Sequence, residues 1–345
     1  MELNIFFDPL WIGVILFVCV FSISWIGVFL YRKLAIRKDI LSNPNFRTLH
    51  EQPVPRGGGI IFSLIFVASV FWLWLLNYLS NNLFLVLGVG GCAATLFGFI
   101  DDVKDIRASR KLAIQIFLSG WVLFWLNREG LLQVDWLPLF VVMPLFLFFL
   151  VWVMNAYNFM DGVDGMAASG AFFVTGTLTL LMLLINGSFE LAVLFFVLMS
   201  SVGGFMVFNW PPASIFMGDA GSIFLGYIFG SFILITVMNG EISVWTWLIV
   251  FGYFFADTTL TQIARVILVK KWYGGHRSHA YQNLARITGS HFKVTAGVVA
   301  YHVIWLLPLA FWTVLQSEME IVAVILAILP SSVLTYKYGP SLSSL

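Results

Sequence analysis

Residues 83–105 read LFLVLGVGGCAATLFGFIDDVKD. From Leu83 to Ile100 there is no charged residue; then Asp101, Asp102, Lys104 and Asp105 arrive together. A helix needs about 20 apolar residues to cross a bilayer. The stretch therefore reads as a membrane-spanning helix that delivers three carboxylates and a lysine to the membrane boundary. Adjacent acids at such a boundary repel each other and resist desolvation. A divalent cation, alone or with a phosphate, would balance them. A solvated turn whose Asp caps the next helix would account for them equally well.

The rest of the chain has the same character. Of 345 residues, 60% are hydrophobic and 10% charged, with Phe 35 and Trp 14. Soluble proteins carry roughly 25% charged residues, so this chain is built for lipid. A net charge of +1 argues against a nucleic-acid partner. Cys19 and Cys92 lie inside apolar runs and suggest neither a disulfide framework nor a metal site. The first apolar run follows Glu2 and Asp8 with no small-residue cleavage site after it, and reads as a retained transmembrane helix.

Apolar runs recur at 10–31, 60–79, 83–100, 112–126, 137–154, 167–186, 190–208, 223–238, 244–269, 294–316 and 319–336. The expected fold is an all-α, polytopic integral membrane bundle of about eleven transmembrane helices, one domain over residues 1–345. An odd number of crossings puts the two ends on opposite sides. Segments 32–59, 101–111, 155–166, 209–222, 270–293 and the tail after 336 share one face. They hold all but Arg128 and Arg265 of the 18 Lys and Arg residues. The positive-inside rule makes that face cytoplasmic, with the N-terminus outside and the C-terminus cytoplasmic. The opposite loops are short, so any chemistry must be assembled from the cytoplasmic ones.

Those loops carry recurrent polar signals. The first ends in Pro55-Arg56-Gly57-Gly58-Gly59, a glycine run that could cradle an anion beside Arg56 or simply turn into the next helix. The second continues from Asp105 to Arg107, Arg110 and Lys111. In the third, Asn155, Asn158, Asp161 and Asp164 repeat at spacings of three, which places them on one face of a tight helical end. Amides and carboxylates together suit a metal's water shell, ribose hydroxyls or a base edge. In the fourth, Asp219 stands between Gly218 and Ala220-Gly221, as a metal ligand or a helix cap. The fifth holds Gly274-Gly275-His276-Arg277-Ser278-His279. Without a carboxylate or cysteine nearby, that group fits phosphate better than zinc. Within the run 244–269, Asp257, Thr258, Thr261, Gln262 and Arg265 form one helical stripe facing the bundle interior. An ionisable group that deep is a functional candidate, with a buried polar pair as the alternative. His291 and His302 read as structural.

Taken together, Asp101, Asp102, Asp161, Asp164 and Asp219 supply acid, and Arg56, Lys104, Lys111, His276, Arg277 and His279 supply base, on one membrane face. A magnesium-bound pyrophosphate substrate suits that combination. A transporter would place its polar groups near mid-membrane.

The quoted stretches, with Phe216-Met217-Gly218-Asp219-Ala220-Gly221-Ser222, resemble in order and content those of the polyprenyl-phosphate N-acetylhexosamine-1-phosphate transferases, glycosyltransferase family 4. The resemblance implies transfer of a sugar phosphate from a UDP-sugar to undecaprenyl phosphate, with release of UMP. Magnesium would be required, with manganese as the substitute. It implies Asp219 as metal ligand with Asp102 as partner, and Asp101 as the residue that activates the lipid phosphate. Asn155, Asn158, Asp161 and Asp164 would line the nucleotide-sugar site; His276, Arg277 and His279 would close over the diphosphate, with Arg56 and Lys111 also on substrate. The partners would be the UDP-sugar, the lipid and the bilayer of the inner membrane, and the chain could assemble as a homodimer. A phosphate monoester has its second pKa near 6, so Asp101 would orient the nucleophile more than deprotonate it.

Asp105 stands where the phospho-muramoyl-pentapeptide branch has lysine, and His276-Arg277-Ser278-His279 where that branch has a histidine run. The expected branch is thus the initiators of O-antigen or capsule synthesis, using UDP-GlcNAc or a UDP-6-deoxy-N-acetylhexosamine. The pentapeptide transferase and a lipid or nucleotide transporter are the rivals.

Overall fold

A computed structural model describes residues 9–43, 52–104, 106–134, 137–268 and 277–340. Among the described residues the regular structure is helical except for a two-stranded antiparallel ribbon, β1 (Leu41–Ser42) against β2 (Val54–Pro55), that closes the first loop. The helices are α1 (Pro9–Arg37), α2 (Gly59–Leu75), α3 (Asn81–Phe84), α4 (Gly91–Lys104), α5 (Ala108–Arg128), α6 (Leu139–Phe159), α7 (Met166–Leu184), α8 (Phe189–Asn209) and α9 (Asp219–Met238). They continue with α10 (Val244–Val250), α11 (Gly252–Leu268), α12 (Ala280–Thr288), α13 (His291–Tyr301), α14 (Leu307–Leu315) and α15 (Glu320–Tyr338).

Among the described residues, eight helical segments are long and apolar enough to cross a membrane. Their outward faces are large and apolar, as in Phe140, Phe148 and Ile304, which suits lipid and not water. The molecule is a multi-pass helical membrane protein. α2, with 17 residues, is a shorter apolar helix. The run 244–269, which reads from sequence as one apolar span, is instead two helices: the chain leaves helical geometry at Phe251, directly before Gly252, where helical propensity is weak. Two further runs, 83–100 and 294–316, are also not plain α-helix. π-turns occupy Leu85–Gly90 and His302–Leu306. In the first, carbonyls are satisfied from outside the helix: Trp121 Nε1 donates to Leu85 O and Tyr227 Oη to Val86 O, both at 2.8 Å. Lipid cannot supply such partners, so the bundle must.

α9 is the axis of the molecule. Nearly every residue from Ala220 to Thr236 is buried, between α4 on one side and α6 on the other, with α2 alongside. Its aromatic residues pack edge-on, Phe224 against Phe66 and Phe229 against Phe251. The start of α9 is reached by backbone: a Cβ on Gly98 of α4 would lie 2.1 Å from Asp219 O, and one on Gly59 of α2 would lie 2.3 Å from Gly221 Cα. Only glycine permits those approaches. They fix the first turn of α9 against α2 and α4, which carries Asp219 to the end of α4.

Candidate active site

The acid pair that ends α4 divides its labour. Asp102 is buried, and its two oxygens accept the N–H groups of Asp219 (2.9 Å) and Ala220 (3.0 Å). It is a helix cap donated by another helix, and a carboxylate at a helix N-terminus also opposes the dipole favourably. The expectation of Asp102 as a metal ligand beside Asp219 thus meets a different arrangement. Both of its oxygens already hold the backbone on which Asp219 rides. Gly218 is required here because a Cβ would lie 2.4 Å from Asp102 Oδ2, and its φ is +73°.

Asp101 accepts the Ile106 N–H at 2.8 Å through Oδ1 and pairs through Oδ2 with Lys111 Nζ. Lys111 also reaches Asp219 Oδ2 at 3.0 Å. From the other side, Asn158 Nδ2 donates to Asp219 Oδ1 and to Ser222 Oγ, each at 2.8 Å. Asp219 is therefore the point where α4, α5, α6 and α9 meet. The Asp101 side chain is 1% exposed, against 26% for Asp219 and 30% for Lys111, so those last two are the groups that a ligand can reach.

Asp161, in the turn after α6, belongs to the same cluster. Burial and the charges of Asp219, Asp102 and Asp164 push its carboxyl well above the ordinary range, against a hydrogen bond from Gly218 N–H. Arg56 lies within electrostatic reach of Asp102, and its carbonyl accepts from Tyr31 Oη at 3.1 Å. The glycines that follow it do not cradle an anion. Gly58 and Gly59 donate their N–H groups to Phe216 O and Met217 O, at 3.0 and 2.9 Å. They staple the first loop to the fourth.

Two members of the Asn/Asp repeat lie away from Asp219. Asn155 Nδ2 donates to Gln115 Oε1 (2.8 Å) and Val151 O (2.7 Å), tying α6 to α5. Asp164 accepts the Ala213 N–H at 2.9 Å and faces His291 Nδ1 at 3.1 Å. It lines a cleft of about 480 Å³ with Pro211, Pro212, Arg286 and His291. His291, read from sequence as structural, is thus a wall of that cleft. His279 is buried beside Asp257 (Nδ1 to Oδ1, 3.5 Å), and Arg277 is exposed, with its carbonyl bonded by Arg286. His276 and Asp105 lie outside the described residues. Gln115 escaped the sequence reading, though it sits one helical turn after Lys111, and Ser222 entered it only as the end of the Phe216–Ser222 stretch, with no role.

No three of the described His, Cys, Asp and Glu side chains form a ready metal-ligand set. The acid surplus nonetheless fits a magnesium ion, which takes one or two carboxylates and completes its shell with water and substrate phosphate. Lys111 pairs with both Asp101 and Asp219, and Asp161, its carboxyl raised first by burial and then by the charges of Asp219, Asp102 and Asp164, adds a further acid to the same cluster.

A multi-pass helical membrane protein that concentrates acids, amides and a lysine at one end of its central helix has the features of a membrane enzyme acting on charged substrates. Residues 84–237 match the family described as "Glycosyl transferase family 4". The chain is 31% identical over 277 residues to "Phospho-N-acetylmuramoyl-pentapeptide-transferase" of Borrelia garinii subsp. bavariensis, covering 70% of this chain and 76% of that protein. It is 26% identical over 299 residues to "Probable undecaprenyl-phosphate N-acetylglucosaminyl 1-phosphate transferase" of Bacillus subtilis, covering 80% and 81%. The protein belongs to glycosyl transferase family 4, among the polyprenyl-phosphate hexosamine-1-phosphate transferases.

Proposed function

We propose that the protein transfers an N-acetylhexosamine-1-phosphate from a UDP-sugar to undecaprenyl phosphate, releasing UMP, and so initiates a cell-surface polysaccharide such as O-antigen. One observation carries the reading: in a chain of this family, Asp101, Lys111 and Asn158 converge with Asp219 at the capped start of α9. The reaction would take place on the cytoplasmic face of the inner membrane, with about eleven crossings, the N-terminus outside and the C-terminus cytoplasmic. The distribution of Lys and Arg among the loops supports that orientation.

The roles follow from position. Asp219 is the partly buried but reachable carboxylate that would hold magnesium, with Asp102 fixing its backbone. The ion would neutralise the diphosphate, the dominant electrostatic requirement of phosphoryl transfer. Lys111 sits between Asp101 and Asp219, where its ammonium can meet an incoming phosphate. Asp101, buried and bonded to Lys111, orients that lysine and through it the acceptor phosphate, which is already mostly dianionic at neutral pH. Arg56 adds a second cation on the first-loop side. Asn158 holds Asp219 in register, and Asp161 and Asp164 lead towards the cleft beside Arg286 and His291, which would receive the nucleotide-sugar. Asn155 acts behind them through Gln115.

The rival branch, with the pentapeptide nucleotide as donor, is favoured by the 31% identity to its members. The sequence at Asp105 and His276-Arg277-Ser278-His279 favours the simpler donors. A panel of UDP-GlcNAc, UDP-6-deoxy-N-acetylhexosamines and UDP-N-acetylmuramoyl-pentapeptide, with undecaprenyl phosphate and magnesium, separates them by the mass of the lipid product. A product from the pentapeptide nucleotide alone would refute the assignment.

A further inference from the structure

Asp257 is fully buried in α11, far along the chain from the acid cluster, and the proposed chemistry gives it no part. Its surroundings do. Oδ1 accepts the Ala280 N–H at 3.0 Å and Oδ2 the Tyr281 N–H at 3.2 Å, which are the first two N–H groups of α12. Thr261 Oγ1 donates to Oδ1 at 3.0 Å, and His279 Nδ1 lies 3.5 Å away. His279, at the capping position of α12, makes no side-chain cap of its own. The carboxylate of a neighbouring helix caps in its place.

What α12 then touches is the proposed active site. Tyr281 Oη donates to Phe159 O at 2.6 Å, at the last residue of α6. The His279 ring packs 5.7 Å from Phe159 and 5.8 Å from Tyr281, centre to centre. At Gly162 a Cβ would lie 2.4 Å from Tyr281 Oη and 2.5 Å from Gln282 Nε2. The segment between those contacts carries Asp161, and the residue before Phe159 is Asn158, which holds Asp219. We infer that Asp257 is a positioning residue: it fixes the start of α12, and α12 through Tyr281 fixes the end of α6, so that Asn158 and Asp161 meet Asp219. The inference rests on the proposed transferase reading.

The test uses the purified full chain and two readouts, amide hydrogen exchange over 280–288 and turnover at saturating donor and acceptor. In Asp257→Asn an amide N–H₂ replaces one acceptor and faces a backbone donor, so that helix start loses one of its bonds. Expected are at least about tenfold faster exchange at Ala280 and Tyr281 and about tenfold lower turnover, the size of one lost hydrogen bond. Tyr281→Phe should lower turnover with α12 still protected, and the double variant should be no slower than the slower single, because both act through one contact. Thr258→Val, on the same buried stripe but bonded only to α11 backbone, should leave both readouts unchanged. The inference is overturned by wild-type exchange in Asp257→Asn, by loosened α12 with wild-type turnover, or by losses that multiply in the double variant. Should Asp257→Asn not fold, wild-type turnover in Tyr281→Phe overturns it instead. A wild type without transfer refutes the reading beneath it, while exchange still decides whether Asp257 caps α12.

Discussion

Gly98→Ala tests whether the contact between α4 and α9 sets the active site. Alanine is favoured over glycine in a helix interior by about 1 kcal/mol, so propensity alone would stabilise the variant. The packing opposes it. The added Cβ would lie 2.1 Å from Asp219 O, 2.4 Å from Asp219 C and 2.6 Å from Ala220 N, all backbone, where ordinary contact begins at 3.4 Å. No side chain can swing away, so α4 and the start of α9 must part by more than 1 Å. Overpacking of this kind costs roughly 1–3 kcal/mol, which matches or exceeds the propensity gain. The larger effect is on chemistry. The same movement separates Asp102 from the Asp219 and Ala220 N–H groups, and a misplacement of about 1 Å at a reacting group can cost on the order of 10²-fold in rate. Gly91→Ala on the same helix is the control, since its Cβ would meet only side-chain atoms, the nearest at 3.3 Å. UMP release and melting temperature in detergent should show Gly98→Ala melting near or slightly below wild type but about 100-fold slower. Gly91→Ala should be wild-type in rate. Wild-type turnover in Gly98→Ala would refute the reasoning.

Asp219→Ala and Asp101→Asn should each reduce transfer to near background while the protein still elutes as a folded species; near-normal turnover in either removes that residue from the site. Asp102→Asn replaces one of two backbone acceptors with a donor, a penalty of about 1–3 kcal/mol, so its melting temperature should fall by several degrees. An unchanged melt would show that the cap is not needed. Asp161 has a raised carboxyl, so its contribution to stability is intact below the ordinary carboxylate pKa and is lost as pH rises through its own. Asp161→Asn, without magnesium, should therefore melt higher than wild type at pH 8 and equal to it near pH 4, and should lose transfer; a pH-independent difference would contradict that sign.

The multi-pass helical character was legible because lipid leaves few options: long apolar runs must be helices, and among the described residues eight helical segments are long and apolar enough to cross, against about eleven expected. What periodicity could not show was their internal breaks, since neither the π-turns nor the interruption at Phe251 changes the apolar pattern. At the site, spacing identified Asp101, Lys111, Asn158 and Asp219 because the residue types themselves are costly at a membrane surface. It could not separate acids that face substrate from acids that hold backbone. Asp102 and Asp257 both proved to cap a helix other than their own, a relation between distant segments that no local pattern encodes. Likewise Pro55-Arg56-Gly57-Gly58-Gly59 read as either an anion cradle or a turn into the next helix, and the N–H groups of Gly58 and Gly59 serve the carbonyls of Phe216 and Met217, residues far away in the chain. Asn155 shared the periodicity of Asn158 yet turned to Gln115, because the helix end rotates successive members of the repeat onto different neighbours.

The most direct test of the account is UMP release by the purified chain with magnesium, undecaprenyl phosphate and UDP-N-acetylhexosamine, compared with Asp219→Ala under the same conditions. The account predicts one UMP for each lipid-linked sugar diphosphate formed by the wild type, and neither product above background from the variant. Equal release from both proteins, or a wild type that releases UMP with none of the UDP-N-acetylhexosamines, would contradict it.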